Sequence, residues 1–157
     1  MEKLNVSFNS PQCGFMSIGF TAGEKEFHTT TAHAPHAAAL PELLRILTRL
    51  LVDKQIQGSI LLQWNRDPEE FDFEFRRKGE IIRLEIFQYP TEKRETRERE
   101  KVFEFEGKAR EICEAFYETF ARLRADKDTD EFEFNWRAAF PEKEFAEFEA
   151  KLKEKRI

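Results

Sequence analysis

The stretch FDFEFRRKGEIIRLEIF, residues 71–87, decides the fold. Apolar residues alternate with charged ones on both sides of Lys78 and Gly79, the period-2 pattern of two half-buried strands joined by a tight turn. If Lys78 and Gly79 form a two-residue loop, Gly79 supplies the positive φ of its second position. Arg77 then faces Glu80, Phe75 faces Ile82, Phe73 faces Leu84 and Phe71 faces Ile86. Three apolar pairs share one face, and a slip by one residue would set each phenylalanine against the other face, so the pattern fixes the register. On the far face Glu74 meets Arg83, but Asp72 meets Glu85, a like-charge opposition that calls for a nearby cation or a basic partner.

Working outward, GSILLQW (58–64) has Ile60, Leu62 and Trp64 on one parity, and VFEFEG (102–107) puts Phe103 and Phe105 on the core side. If these strands join the hairpin in one sheet, its outward face gathers Asp72, Glu74, Glu85, Glu104 and Glu106 against Arg76 and Arg83. Between them TEKRETREREK (91–101) mixes charges without an apolar anchor and reads as a solvated connection. Toward the start, LNVSFN, FMSIGF and EFHTTT are short strands parted by the turns SPQCG and TAGEK. ALPELLRILTRLLVDK switches to helical period, with Pro41 suited to the first helical position. KAREICEAFYETFARLRAD carries Ala109, Ile112, Cys113, Phe116, Phe120 and Leu123 on one stripe. PEKEFAEFEAKLKEK restarts at Pro141 with a narrower stripe, and residues 131–139 read equally as helix or strand. The expected fold class is α+β: a mostly antiparallel sheet of six to seven strands, two main helices near 41–54 and 108–125 packed on one face, and a short C-terminal helix. One domain is expected over 1–157.

Composition narrows the function classes. The chain has 157 residues, 40% hydrophobic and 36% charged, with 17 Phe against 2 Tyr and 2 Trp, which favours core packing over a stacking surface. Its net charge of -5 lacks the basic excess by which nucleic-acid binders neutralise phosphates, so no nucleic acid is expected. The longest aliphatic cluster is interrupted by Glu42, Arg45 and Arg49, and the first residues carry no basic end followed by an apolar run. Neither a membrane span nor a secretion signal is expected. Cys13 reads as a turn residue and Cys113 as core, and two unlike cysteines so far apart suit a reducing, cytoplasmic location.

Every histidine lies in FHTTTAHAPHAAAL (27–40): His28, His33 and His36. A catalytic metal needs such ligands to converge. On a strand His28 and His33 have opposite parity, and only a sharp turn between Thr31 and His36 would bring them together. Glu26 precedes the segment and Glu42 belongs to the helix, so orienting carboxylates are not at hand. The alternatives are a polar connection, a pH-sensitive loop, or the metal site of a metal-dependent enzyme. Phosphate-cradling glycine motifs and a nucleophile elbow are absent, and the neighbours Glu69 and Glu70 mean little among 31 acids. No cofactor is expected. Trp136 in NWRAAFP is either a staple for the last helix or an anchor for a partner.

Over residues 58–152 the order of features, a phenylalanine-rich hairpin sheet, an amphipathic helix, WRAAFP and a short terminal helix, resembles small bacterial α+β families. Some proteins of that kind act as immunity proteins or other small binding proteins. The leading expectation is accordingly a soluble, non-enzymatic binding protein using the acidic sheet face (Asp72, Glu74, Glu85, Glu104, Glu106) against a basic protein partner. The enzyme on His28, His33 and His36 is the alternative. Self-association as a homodimer through an uncovered sheet edge or face is a third.

Overall fold

A computed structural model describes residues 2–53, 58–66 and 69–154. The chain is α+β, with seven antiparallel strands and four helices among the described residues.

The hairpin at its centre joins β5 (Glu70–Lys78) to β6 (Ile81–Tyr89). Phe75 faces Leu84, Phe73 faces Ile86 and Phe71 faces Gln88. The register is therefore displaced by two residues from the expected one, which keeps every side chain on its face. The loop is Gly79-Glu80, and Gly79 (φ 64) stands at its first position, where a type II′ turn wants glycine. Two like-charge pairs result, Glu74 opposite Glu85 and Arg76 opposite Arg83, in place of Glu74 with Arg83 and Asp72 with Glu85. Relief comes from other neighbours: Arg76 bonds Glu74 along its own strand, while β7 (Glu100–Lys108) supplies Lys101 to Glu85 at 3.4 Å and Glu106 to Arg83 at 3.1 Å.

The strands form two sheets rather than one. β4 (Gly58–Asn65) to β7 make a four-stranded sheet in sequential order, and β1 (Leu4–Phe8), β2 (Phe15–Ala22) and β3 (Lys25–Ala32) make a three-stranded one. A helix, α1 (Ala39–Val52), intervenes between β3 and β4, so the chain does not continue as a hairpin there. Instead β3 touches both edge strands of the larger sheet. At its start Lys25 Nζ donates to Glu104 O of β7 (3.4 Å), and at its end Ala32 O accepts from Trp64 Nε1 of β4 (3.1 Å).

Phenylalanines fill the space between the sheets. The Phe20 ring lies 5.4 Å from Phe73 and 5.6 Å from Phe103, edge-on and tilted, and Phe8 lies 5.0 Å from Phe120 of α2 (Ala109–Asp126). Phe8 N donates to Thr119 Oγ1 (2.7 Å), which fastens α2 to β1. The fully buried Leu43, Leu44 and Leu47 turn the apolar face of α1 inward, at roughly 1.5–3 kcal/mol for each side chain removed from water. Cys113 Sγ donates to Leu47 O (3.4 Å), and burial pushes the Cys113 thiol far up, so it acts as a small core hydrophobe. Both main helices lie within a residue or two of their expected bounds; Lys54, the last residue of the first expected span, lies outside the described residues.

Residues 131–139, open between helix and strand in the sequence, contain a five-residue helix, α3 (Phe132–Trp136). α4 (Glu142–Glu154) follows and stacks Phe145 on Tyr117 of α2 at 5.8 Å. No helix of the described residues is long and apolar enough to cross a membrane.

Candidate functional site

The outer face of the larger sheet is not the open acidic surface its sequence suggests. Asp72 is 2% exposed, Glu85 7% and Glu74 9%, and Glu70 beside them is buried as well. At Glu70 and Asp72 the cause is the charged connection after β6, which is not merely solvated. Arg94, held at φ 52, folds back onto the face. Its Nε donates to Glu70 Oε1 (2.7 Å), its Nη1 to Asp72 Oδ1 and its Nη2 to Trp64 O (3.2 Å), while the guanidinium lies 5.1 Å from the centre of the Tyr89 ring.

The same cluster draws in three more side chains. Tyr89 OH donates to Asp72 Oδ2 (2.9 Å), Asn65 Nδ2 donates to Glu70 Oε2, and His36 Nε2 sits 3.0 Å from Glu70 Oε1. Burial works to raise the Glu70 pKa, but hydrogen bonds from Asn65, His36 and Arg94 and the Arg94 charge outweigh it, leaving the carboxyl below its ordinary range. Burial likewise opposes the charge on Arg94, yet Asp72 and Glu70 raise its pKa overall; burial and Asp72 together raise that of Tyr89. Two carboxylates, an imidazole, a phenol and a guanidinium would suit acid-base chemistry. Here all four carboxylate oxygens are already bonded within the cluster, so it works as a clasp. Of the expected acidic residues only Glu104 and Glu106 stay accessible, and each is paired, with Lys101 at 2.9 Å and Arg83 at 3.1 Å.

The three histidines take separate partners. His28 is exposed on β3 with Nε2 2.5 Å from Glu26 Oε1. His33 meets Trp136 edge-on at 5.6 Å, and its Nδ1 is buried without a hydrogen-bond partner. His36 belongs to the clasp. Among the described residues no group of three or more His, Cys, Asp or Glu is placed to hold a metal ion. His28 stands on β3, whereas His33 lies in the bend just past its end.

A different surface combines unspent charge with exposed apolar area. In α3, residues four apart share a face, so Phe132 and Trp136 are buried together: Phe132 meets Phe140 at 5.5 Å and Trp136 meets Trp64 at 6.4 Å. Phe134 is thereby turned outward and is 78% exposed. Glu131 (φ 51) and Arg137 (φ 77) bracket the helix in the left-handed region, and Arg137 N closes it on Glu133 O at 2.9 Å. Gly14 N donates to Asn135 O (2.6 Å) and ties α3 to the β1–β2 turn.

Beside this helix runs a groove of 300 Å³ walled by Phe132, Phe134 and Phe140 and rimmed by Asp128, Glu131 and Glu133. Lys127 also lines it but is committed to Asp128 and Glu142, both at 3.4 Å. Glu131 and Glu133 make no ion pair among the described residues. An aromatic wall with free carboxylates at its lip can take a lysine or arginine side chain, the stem against Phe134 and the charge at the rim. Sequence reading missed it because the EFEF motif (131–134) has strand period, which would bury Phe132 and Phe134 on one face; helical geometry separates them. No protein family matches this chain, and neither a curated protein nor a solved structure proves similar to it.

Proposed function

We propose that the protein is a non-enzymatic binding protein that captures a basic protein partner in the groove beside α3. The observation that carries this reading is Phe134: of the chain's 17 phenylalanines it alone is more than half exposed, and it lines the groove with Glu131 and Glu133, which pair with no cation among the described residues. Interfaces are anchored by such aromatic side chains, and acidic neighbours hasten encounter with a basic surface, an effect that salt screens. An immunity-like role, implied by the likeness of the layout, is one form of such capture. The thiols support a cytoplasmic setting, since Cys13 and Cys113 are both free. The enzyme built on His28, His33 and His36 has no observation in its favour, because the three rings take separate partners.

The test is capture of basic proteins from the source cell on immobilised chain at low salt, with two sets of variants. Phe134→Ala and the pair Glu131→Lys with Glu133→Lys should each weaken capture at least tenfold, the scale of a lost anchor. Glu104→Lys with Glu106→Lys should leave it within about twofold, because those carboxylates are rim groups already paired. The reverse ranking would return the contact to the sheet face. Capture indifferent to both sets would sink the proposal.

A further inference from the structure

A larger cavity, of 480 Å³, opens where the last turn of α1, the β5–β6 turn and the first turn of α2 meet. Its size lies within the range of small-molecule sites. Leu50, Leu51 and Ala109 give it an apolar wall, and among the described residues that line it Arg77, Lys108 and Arg110 bring three cations against the single acid Glu80. In a chain of net charge -5 this local excess of positive charge is the reverse of the whole.

Arg77 is the fixed member. It is 6% exposed, and it donates from Nη2 to Leu50 O at the end of α1 and from Nη1 to Gly79 O (3.1 Å), while Nε is buried with no partner. Because Nε is sealed from solvent, Arg77 acts on the cavity as a fixed charge rather than as a donor, and a cation held this far from water favours an anion in its surroundings. Ala109 and Arg110 are the first two residues of an 18-residue helix, whose opening N–H groups have no acceptor one turn back and favour negative charge. Glu111 Oε1 accepts from Lys108 N (3.1 Å) and so occupies one of these donors, but Lys108's own side chain stays exposed and makes no ion pair among the described residues. Arg110 is tied to Glu114 at 3.1 Å and to Leu152 O at 3.3 Å, which leaves Lys108 as the cation free to move onto a ligand.

We propose that this cavity binds a small amphipathic anion, with a carboxylate or phosphate head at Lys108 and the start of α2 and an apolar tail against Leu50 and Leu51. The site is separate from the α3 groove and stands or falls independently of it.

The experiment is calorimetric titration of the full chain with octanoate, octyl phosphate and octanol, which share a tail and differ in the head. Saturable binding of at least one anion, tenfold or more tighter than octanol, is expected; whichever anion binds better identifies the head. Lys108→Gln should weaken that binding about threefold and Lys108→Glu at least tenfold, while Phe134→Ala changes nothing. Amide resonances of Ala109 and Arg110 should move on titration. Octanol binding as well as the anions, failure of both anions, or affinity unchanged in Lys108→Glu would each overturn the assignment.

Discussion

Arg94 shows how much one side chain can settle. It neutralises two buried carboxylates, Glu70 and Asp72, that would otherwise be stranded under the charged connection. Removing one partner of a buried ionic group costs more than the group's net worth, because the other charges are left without compensation. Arg94→Met should lower stability by about 3 kcal/mol in urea unfolding. The pH dependence has a definite sign. The folded pKa of Glu70 is lowered from the ordinary 4.5, so its contribution is present above that value and is lost as the pH falls through the lowered one. In Arg94→Met the Glu70 carboxyl should take up its proton at higher pH, and the acid limb of the stability profile should move upward. Nothing in TEKRETREREK marks Arg94 out from its neighbours: a run of mixed charge gives no period, and only the fold selects which cation turns inward.

Among the elements, strand identity was legible because alternation survives any even shift, and the register was not, for the same reason. Both candidate pairings of β5 and β6 bury Phe71, Phe73 and Phe75 on one side. Setting Gly79 at the second position of the turn rather than the first chose the wrong one, and the counter-charges that make the observed pairing tolerable for Glu85 and Arg83 stand on β7, out of view of a hairpin read alone. The β1–β2 turn is a simpler case. Gln12 and Phe15 exchange both backbone bonds (2.8 and 2.9 Å) around Cys13 (φ 53) and Gly14 (φ 80), the positive-φ pair of a type I′ turn. Asparagine tolerates that first position better than cysteine, so Cys13→Asn should stabilise by about 0.5 kcal/mol. A calorimetric melt should rise by roughly 1–2 °C. α3 resisted reading because five residues are too few to hold a helix by propensity; burial of Phe132 and Trp136 holds it, and that burial is a tertiary fact.

For the whole molecule, composition announced a phenylalanine core and the structure supplies one, but it lies between two sheets and α2 rather than under a single sheet. That division goes with β3 meeting both edge strands of the larger sheet, β4 and β7, the latter distant in sequence. The acidic surplus was legible as a number and misplaced as a surface, since the sheet-face carboxylates are matched by Arg94, Arg76, Lys101 and Arg83, whereas Glu131 and Glu133 beside Phe134 have no ion pair among the described residues. The clasp has a further consequence for how the chain survives digestion. Residues 91–101 offer a trypsin-like protease Lys93, Arg94, Arg97, Arg99 and Lys101 in close succession. The Arg97 side chain is 81% exposed, whereas the Arg99 guanidinium covers the Phe87 ring at 3.8 Å and Arg94 must leave both carboxylates before it can fill a protease pocket. Brief native-state digestion read by mass spectrometry should give a first nick after Arg97, with cuts after Arg94 appearing only as the chain unfolds. A segment that reads as the most expendable in the sequence is thus bolted at one residue and open to attack three residues later.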